Sequence, residues 1–146
     1  MKIIICDLDG TLCNCTHRLR LAEKEQWEEF NSKCVDDLVY ENIANILRRL
    51  KDKETKIFIV TGRTENYEQQ TRDWLFLNDI PYDEIFMREI NDKRSDHIVK
   101  KEIFNVKILF GRHESNIWFV LDDRQSVVDM WRKQGLTCLQ VKEGDF

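Results

Sequence analysis

Two carboxylates spaced i, i+2 stand at the end of a short apolar run, where Asp7-Leu8-Asp9-Gly10-Thr11 follows directly on Lys2-Ile3-Ile4-Ile5-Cys6. If the backbone stays extended, strand alternation sends Asp7 and Asp9 to the same side, and Gly10 then lets the chain turn away. Paired carboxylates at the carboxyl end of a buried strand suit phosphoryl chemistry: they hold a divalent cation such as Mg2+, and one of them attacks phosphorus. A phosphate monoester dianion repels a carboxylate nucleophile, so such a site needs the cation and further positive charge before attack. An alcohol leaving group of high pKa also needs a proton donor. Asp9 can donate near neutral pH only if neighbouring carboxylates or burial raise its pKa. Two more apolar runs end in reactive groups: Thr61-Gly62-Arg63 follows Ile57-Phe58-Ile59-Val60, and Asp122-Asp123-Arg124 follows Ile117–Leu121.

The elements that must position these groups alternate between strand-like and helix-like patterns, which predicts an α/β fold with a parallel sheet. Lys2–Cys6, Lys56–Val60 and Ile117–Leu121 read as buried central strands, and Glu84–Met87 and Thr137–Val141 as shorter outer ones. Leu38, Val39, Ile43, Ile46, Leu47 and Leu50 recur at helical spacing, with Arg48, Arg49 and Lys51 in the final turn. Further helices are predicted over Asn66–Asn78, about Ser95–Phe110, and Gln125–Gln134, the last closed by Gly135. In an open sheet of this kind, ligands bind beyond the carboxyl ends of the central strands. All three reactive segments fall there.

The chain has 146 residues, enough for one domain, and no internal repeat or linker breaks it. Hydrophobic residues make up 42% and charged residues 34%, the balance of a soluble globular protein, and no apolar run is long enough to span a membrane. The apolar start before Asp7 is too short for a signal peptide, so a cytoplasmic location is expected. Five cysteines (Cys6, Cys13, Cys15, Cys34, Cys138) without framework spacing read as reduced thiols. The net charge of −4 carries no global signal for nucleic acid. Between Met87 and His113, however, seven Lys/Arg stand against four acids, a local excess that suits a phosphate backbone. His17, His97 and His113 show no ligand spacing and are expected at the surface. Of the four tryptophans, Trp74, Trp118 and Trp131 are expected in the core, and Trp27 lies in a flap-like segment.

Asp7-x-Asp9-x-Thr11 resembles motif I of the haloacid-dehalogenase-like phosphohydrolases. Thr61-Gly62 resembles their motif II, which binds phosphoryl oxygens through a hydroxyl and backbone N–H groups. Lys100 is the candidate for the motif III cation, and Leu121-Asp122-Asp123 resembles motif IV, the acidic pair that completes a Mg2+ site. The resemblance implies a Rossmann-like three-layer sandwich of α/β class, with about five parallel strands and a minimal cap. A narrower resemblance, to the 3′-phosphatase domain of phage-type polynucleotide kinase, rests on four stretches: Tyr82–Arg88, Asp92–Glu102, Leu121–Arg132, and the ending Gly135–Val141 with Gly144-Asp145-Phe146. It covers nearly the whole chain from Met1 and is weakest from Leu12 to Asp37. No Gly-x-x-x-x-Gly-Lys-Ser/Thr loop occurs, so the chain reads as one phosphatase domain over residues 1–146 without a kinase.

Residue by residue, that resemblance implies Asp7 as the nucleophile and Asp9 as the acid and later the base. Mg2+ would sit on Asp7, the Asp9 backbone carbonyl and Asp122, with Asp123 beside them. Thr61 and Lys100 would bind the phosphoryl group, Asp96 would orient Lys100, and Arg18 and Arg63 would lie near the substrate. Only residues 12–37 remain for a cap, and so lightly covered a site should admit a polynucleotide end. The expected activity is Mg2+-dependent removal of 3′-phosphates from DNA or RNA termini, with a separate kinase or ligase as a possible partner, in the host cytoplasm if the protein is viral. A nucleotidase or small-ester phosphatase with the same chemistry is the alternative. A phosphotransferase and an idle interaction module are the remaining readings.

Overall fold

The computed structural model describes residues 1–110 and 112–144. The end of the predicted C-terminal resemblance, Asp145-Phe146, lies outside them. Five parallel strands form the central sheet: β1 (Lys2–Cys6), β4 (Thr55–Thr64), β5 (Glu84–Arg88), β6 (Ile117–Arg124) and β7 (Cys138–Gly144). Their order is β5-β4-β1-β6-β7. β1 is therefore central, paired with β4 on one side and β6 on the other. The chain runs from β1 outward through β4 to β5, then crosses back over β1 to β6 and β7, and this reversal of direction at β1 opens a crevice at the carboxyl ends of the central strands.

Strand alternation explains the three layers. In β1, Ile3 and Ile5 face one side of the sheet and Ile4 and Cys6 the other, and all four are buried. Ile3 and Ile5 join Phe58, Val60 and Val120 in a core closed by α5 (Asp96–Glu102) and α6 (Gln125–Lys133) through Val99, Val127, Val128 and Trp131. Ile4 and Cys6 join Ile57, Ile59 and Leu121 in a second core, closed by α3 (Glu41–Leu50) and α4 (Glu68–Leu77) through Ile43, Ala44, Leu47, Trp74 and Leu75. Burial on both faces is why these strands read as unbroken apolar runs rather than alternating ones.

The segment between β1 and α3 is small. A two-stranded antiparallel ribbon pairs β2 (Cys13–Asn14) with β3 (Leu38–Val39), and the short helices α1 (Leu19–Glu23) and α2 (Trp27–Ser32) lie between them. Cys15, Ala22 and Phe30 form a separate minor core under this flap.

Several sequence expectations shift. Leu38 and Val39 belong to the ribbon, not to the helix, which begins at Glu41; pairing with Cys13–Asn14, aided by the β-branched Val39, captured them. The helix predicted to Phe110 is α-helical only to Glu102 and continues as a π-helix over Ile103–Ile108, keeping Ile103, Phe104 and Ile108 on the core. Trp118 is 40% exposed rather than buried, with the Lys2 ammonium 4.3 Å from its ring. It stands near the amino end of β6, outside the two core layers. Trp74 and Trp131 are buried as expected, and the five cysteines are free and buried. Among the described residues, no helix is long and apolar enough to cross a membrane.

Candidate active site

β4 and β6 run further than the apolar pattern predicts, so Thr61-Gly62-Arg63 and Asp122-Asp123-Arg124 lie inside the strand ends flanking β1. Between them, Asp7 continues the β1 pairing through its N–H to the Leu121 carbonyl at 3.0 Å. Asp7, Asp122 and Asp123 thus converge, with one carboxylate oxygen from each within 4.8 Å of the others. All three are at least 95% buried. Lys100, itself 1% exposed, reaches in from α5. Its ammonium donates to Asp7 Oδ1 at 2.7 Å and Asp122 Oδ2 at 3.1 Å, and it stands 3.4 Å from Asp96 Oδ2 one helical turn earlier. Thr11 Oγ1 lies 3.1 Å from Asp7 Oδ2 and 3.2 Å from Asp123 Oδ1. Trp131 Nε1 donates to Asp122 Oδ2 at 3.1 Å, which fixes the third carboxylate from the core side.

One lysine among three buried carboxylates leaves the cluster short of positive charge. Burial raises the Asp7 carboxyl well above the ordinary range; Lys100 opposes the rise, and Asp122, Asp123 and Asp96 add to it. Burial and the Asp122 charge push Asp123 up to about 6. Hard oxygen donors that repel one another are the donor set that suits Mg2+, so these residues fit a divalent cation.

Asp9 behaves differently. Its carboxylate turns to Arg63, which donates from Nη2 to Oδ1 at 2.7 Å and from Nε to both oxygens at 3.2 Å, and to Arg18 Nη2 at 2.5 Å. Burial pushes the Asp9 carboxyl up, but the Arg63 and Arg18 guanidiniums outweigh it and hold the group well below the ordinary carboxylate range. The expectation that neighbouring carboxylates raise Asp9 is therefore reversed: the carboxylates gather on Asp7, and Asp9 faces cations. Arg18 and Arg63 are also not surface groups. Their side chains are fully buried, and both are held by a residue that sequence reasoning missed, Asp37. Asp37 accepts Arg18 Nε at 2.9 Å and Nη2 at 2.5 Å, and Arg63 Nη2 at 3.4 Å. His17 Nε2 lies 2.7 Å from Asp37 Oδ1, the oxygen that also accepts Arg18 Nε, and Trp74 Nε1 donates to the Asp37 backbone carbonyl at 2.9 Å. Nothing in local spacing marks Asp37, an acid beside a two-residue strand. A second grouping of Asp9, Cys13 and Asp37 surrounds these two arginines, which makes it unsuited to a cation.

An open cavity of about 1720 Å3 rises from this floor. Asp7, Asp9, Asp96 and Asp123 reach it, as do Gly62, Thr64, Arg124 and Gly144, whereas Thr61, Lys100, Arg18 and Arg63 stand behind its wall. Thr61 is fully buried and accepts the Arg63 N–H at 3.2 Å, a bond that leaves its O–H proton to donate. The basic stretch expected at residues 87–113 forms part of the far wall, but much of it is internally neutralised. Arg88 donates to the Gly62, Asp92 and Arg94 carbonyls, and Arg94 pairs with Asp92 at 2.7 Å and Glu102 at 2.6 Å.

Gly10 has φ of +87°, and a Cβ there would run into the Asp123 carboxylate. Gly10→Ala is expected to lose about 1–3 kcal/mol of stability through backbone strain and a displaced Asp123. Thermal unfolding checks this, and an unchanged midpoint would show that the turn relaxes freely.

The profile of the polynucleotide kinase PNKP phosphatase domain matches residues 1–146. The chain belongs to that family. A protein of Autographa californica nuclear polyhedrosis virus that carries the name of a bifunctional polynucleotide kinase/RNA ligase is 30% identical over 133 residues, 90% of this chain and 18% of that one. Two solved structures of a Pnkp1/Rnl/Hen1 complex, one described as an RNA repair complex, contain a chain 38% identical with a TM-score of 0.84. They match 99% of this chain and 47% and 43% of theirs, so the chain spans less than half the length of these relatives. A haloacid dehalogenase-like hydrolase of Streptococcus pneumoniae, 13% identical with a TM-score of 0.63, shares the fold over 94% of this chain and 83% of that one. The chain carries a phosphatase domain of the haloacid-dehalogenase type.

Proposed function

We propose that the protein removes 3′-phosphates from polynucleotide ends, with a Mg2+ requirement and a covalent intermediate on Asp7. The observation that carries this reading is the open cavity of about 1720 Å3 over Asp7 and Asp9. Sites for small ligands are typically about 300–1,000 Å3 and enclose their ligand, whereas this one is roofed only by the short flap. Membership of the polynucleotide kinase phosphatase-domain family supports the same substrate class.

In this reading the Asp7 carboxylate attacks phosphorus, the bond to the 3′-oxygen breaks, and Asp9 supplies the proton that the leaving oxygen takes. Asp9 then takes a proton from water as water attacks phosphorus, and phosphate leaves with Asp7 regenerated. Mg2+ would be held by Asp7, Asp122 and Asp123 with the Asp9 carbonyl, and would offset the charge between nucleophile and phosphate. Lys100 keeps the cluster from being wholly anionic, Thr61 offers its O–H to a phosphoryl oxygen, and Asp96 positions Lys100. Arg18 and Arg63 act through Asp9, fixing its direction. Since Asp9 rests as a carboxylate, it is better prepared for the second half, and proton donation in the first requires it to loosen from the arginines and take up a proton from solvent. A 3′-hydroxyl end is the group that a ligase joins, so a sealing enzyme is the partner class that consumes this product; the named complex and the viral relative support such a pairing.

The test is phosphate release from a 3′-phosphorylated oligonucleotide, a 5′-phosphorylated one and a 3′-mononucleotide, each with Mg2+ and with EDTA. Preference for the 3′-phosphorylated oligonucleotide with Mg2+ is the expected result. Equal rates on the mononucleotide would favour a small-ester phosphatase, and no release from any substrate would sink both readings.

The acidic cluster also makes a stability prediction. A carboxyl whose folded pKa is raised destabilises the fold once ionised, and relief comes as pH falls through the folded value. With Asp123 at about 6 and Asp7 also raised, the metal-free protein should unfold at a higher temperature near pH 5 than near pH 7. Asp9 contributes the opposite sign, but its stabilisation is lost only below the unfolded carboxylate value, outside that window. Adding Mg2+ near pH 7 should recover the difference. A flat melting profile over this range, with and without Mg2+, would remove the cluster as a metal site.

A further inference from the structure

The flap wall of the cavity is formed by residues 25–32, with Trp27 on it. Trp27 is 42% exposed, although the minor core beneath it is already closed by Cys15, Ala22 and Phe30. Its ring meets Phe30 edge-to-face at 5.5 Å and 84°. Phe30 in turn carries the Arg18 guanidinium 4.1 Å from its ring centroid, and Arg18 holds Asp9. The indole is thus fixed relative to the reacting groups while the core makes little use of it. Tyr67 donates its O–H to the Glu28 carbonyl at 3.0 Å, which ties this wall to the segment that follows β4.

The two walls differ in charge. The flap side presents Glu25 and Glu28, with Glu29 paired to Lys33 at 3.5 Å, and the opposite side presents Lys93 beside Arg94, whose charge is shared with Asp92 and Glu102. A polynucleotide end entering the cavity is pushed by this asymmetry to lay its phosphates toward Lys93 and away from the glutamates. Its bases, which are neutral and aromatic, then face the flap. An aromatic ring anchored on that side is a stacking platform, and stacking tolerates any base because every base has a π-face.

We infer that Trp27 stacks on the base of the 3′-terminal nucleotide and so selects single-stranded or frayed ends, whose terminal base is free to leave its neighbours. This rests on the polynucleotide reading above and adds the nucleoside as a recognised part of the substrate. Trp27 is a specificity residue in this account; it touches no reacting atom.

The test compares kcat/KM for two 3′-phosphorylated oligonucleotides of the same length, one with an ordinary terminal nucleotide and one with a tetrahydrofuran abasic residue at that position. Wild type, Trp27→Ala and Trp27→Phe are measured on both. The wild type is expected to favour the base-bearing end about 10-fold, mainly through KM. In Trp27→Ala the ratio should fall to about 1, and in Trp27→Phe, which keeps a smaller ring, most of it should remain. A Trp27→Ala protein that loses activity on both ends by the same factor would show a structural role only and overturn the inference. So would an unchanged ratio, or a wild type indifferent to the base. Release by the wild type from neither oligonucleotide would instead overturn the polynucleotide reading itself.

Discussion

Replacing Asp7 with Asn is expected to abolish phosphate release while leaving the protein folded. The amide keeps the size of the side chain and an acceptor for Lys100, whose ammonium donates to Asp7 Oδ1 at 2.7 Å. What it removes is the anionic oxygen that attacks phosphorus in the proposed reaction, and among the described residues no other carboxylate shares the place of Asp7 at the end of the central strand. A loss on the order of 10^4-fold or more in kcat follows if attack by Asp7 is obligatory. Stability should move the other way. The ionised Asp7 is disfavoured by burial and by Asp122, Asp123 and Asp96, so a neutral side chain relieves repulsion. The unfolding midpoint of the metal-free protein near pH 7 is expected to hold or rise by a few degrees, roughly the shift that 1–2 kcal/mol produces in a domain of this size. Kinetics and calorimetry on one preparation separate the two effects. Retention of more than about a tenth of wild-type kcat would assign the nucleophile elsewhere.

Asp37→Ala should give the largest loss of stability among changes near the site. Asp37 is fully buried at its side chain and is shared by two arginines whose side chains are equally buried. Removing it leaves Asp9 as the only carboxylate paired with both guanidiniums among the described residues, and breaking a buried pair from one side costs about 3–5 kcal/mol. The midpoint should fall by roughly 10 °C, and the urea midpoint with it. Activity should fall further than stability explains, because Arg18 bridges Asp37 to Asp9, the proton-transfer group of the proposed reaction. Asp37→Asn keeps the shape and one acceptor and should lie between. A loss below about 1 kcal/mol would mean that water or His17 readily replaces the pair, which would make Asp37 an ordinary surface acid in effect.

Much of the site was legible because it lies on strand ends. The runs before Asp7, Thr61 and Asp122 mark buried strands, and strands of one parallel sheet must bring their carboxyl ends to one edge. Lys100 was harder, with two other lysines within a few residues. Its choice is explained by α5, which turns Lys100 inward and Lys101 outward, while Lys93 lies exposed in the loop before the helix. Trp118 and the Leu38–Val39 pair were misread for related reasons. Composition and local periodicity say that a residue suits a core or a helix, but not whether the neighbouring layer extends far enough to cover it or whether a ribbon partner captures it first.

The amino-acid sequence by itself determined the order of the sheet strands and their main helices outside the flap, the central apolar strand, and the acids, hydroxyl and lysine available to phosphoryl chemistry. All of these are statements about residue type and short-range spacing. The tertiary structure alone decided how the charges are shared. Thr11 meets Asp123 across 112 positions of chain, Lys100 meets Asp7 across 93, and Arg63 meets Asp9 across 54. Whether a carboxyl is raised or lowered depends on which charges lie within a few ångströms and how much water is excluded. That is why Asp7 and Asp9, two residues apart with the same side chain, are driven in opposite directions by the fold.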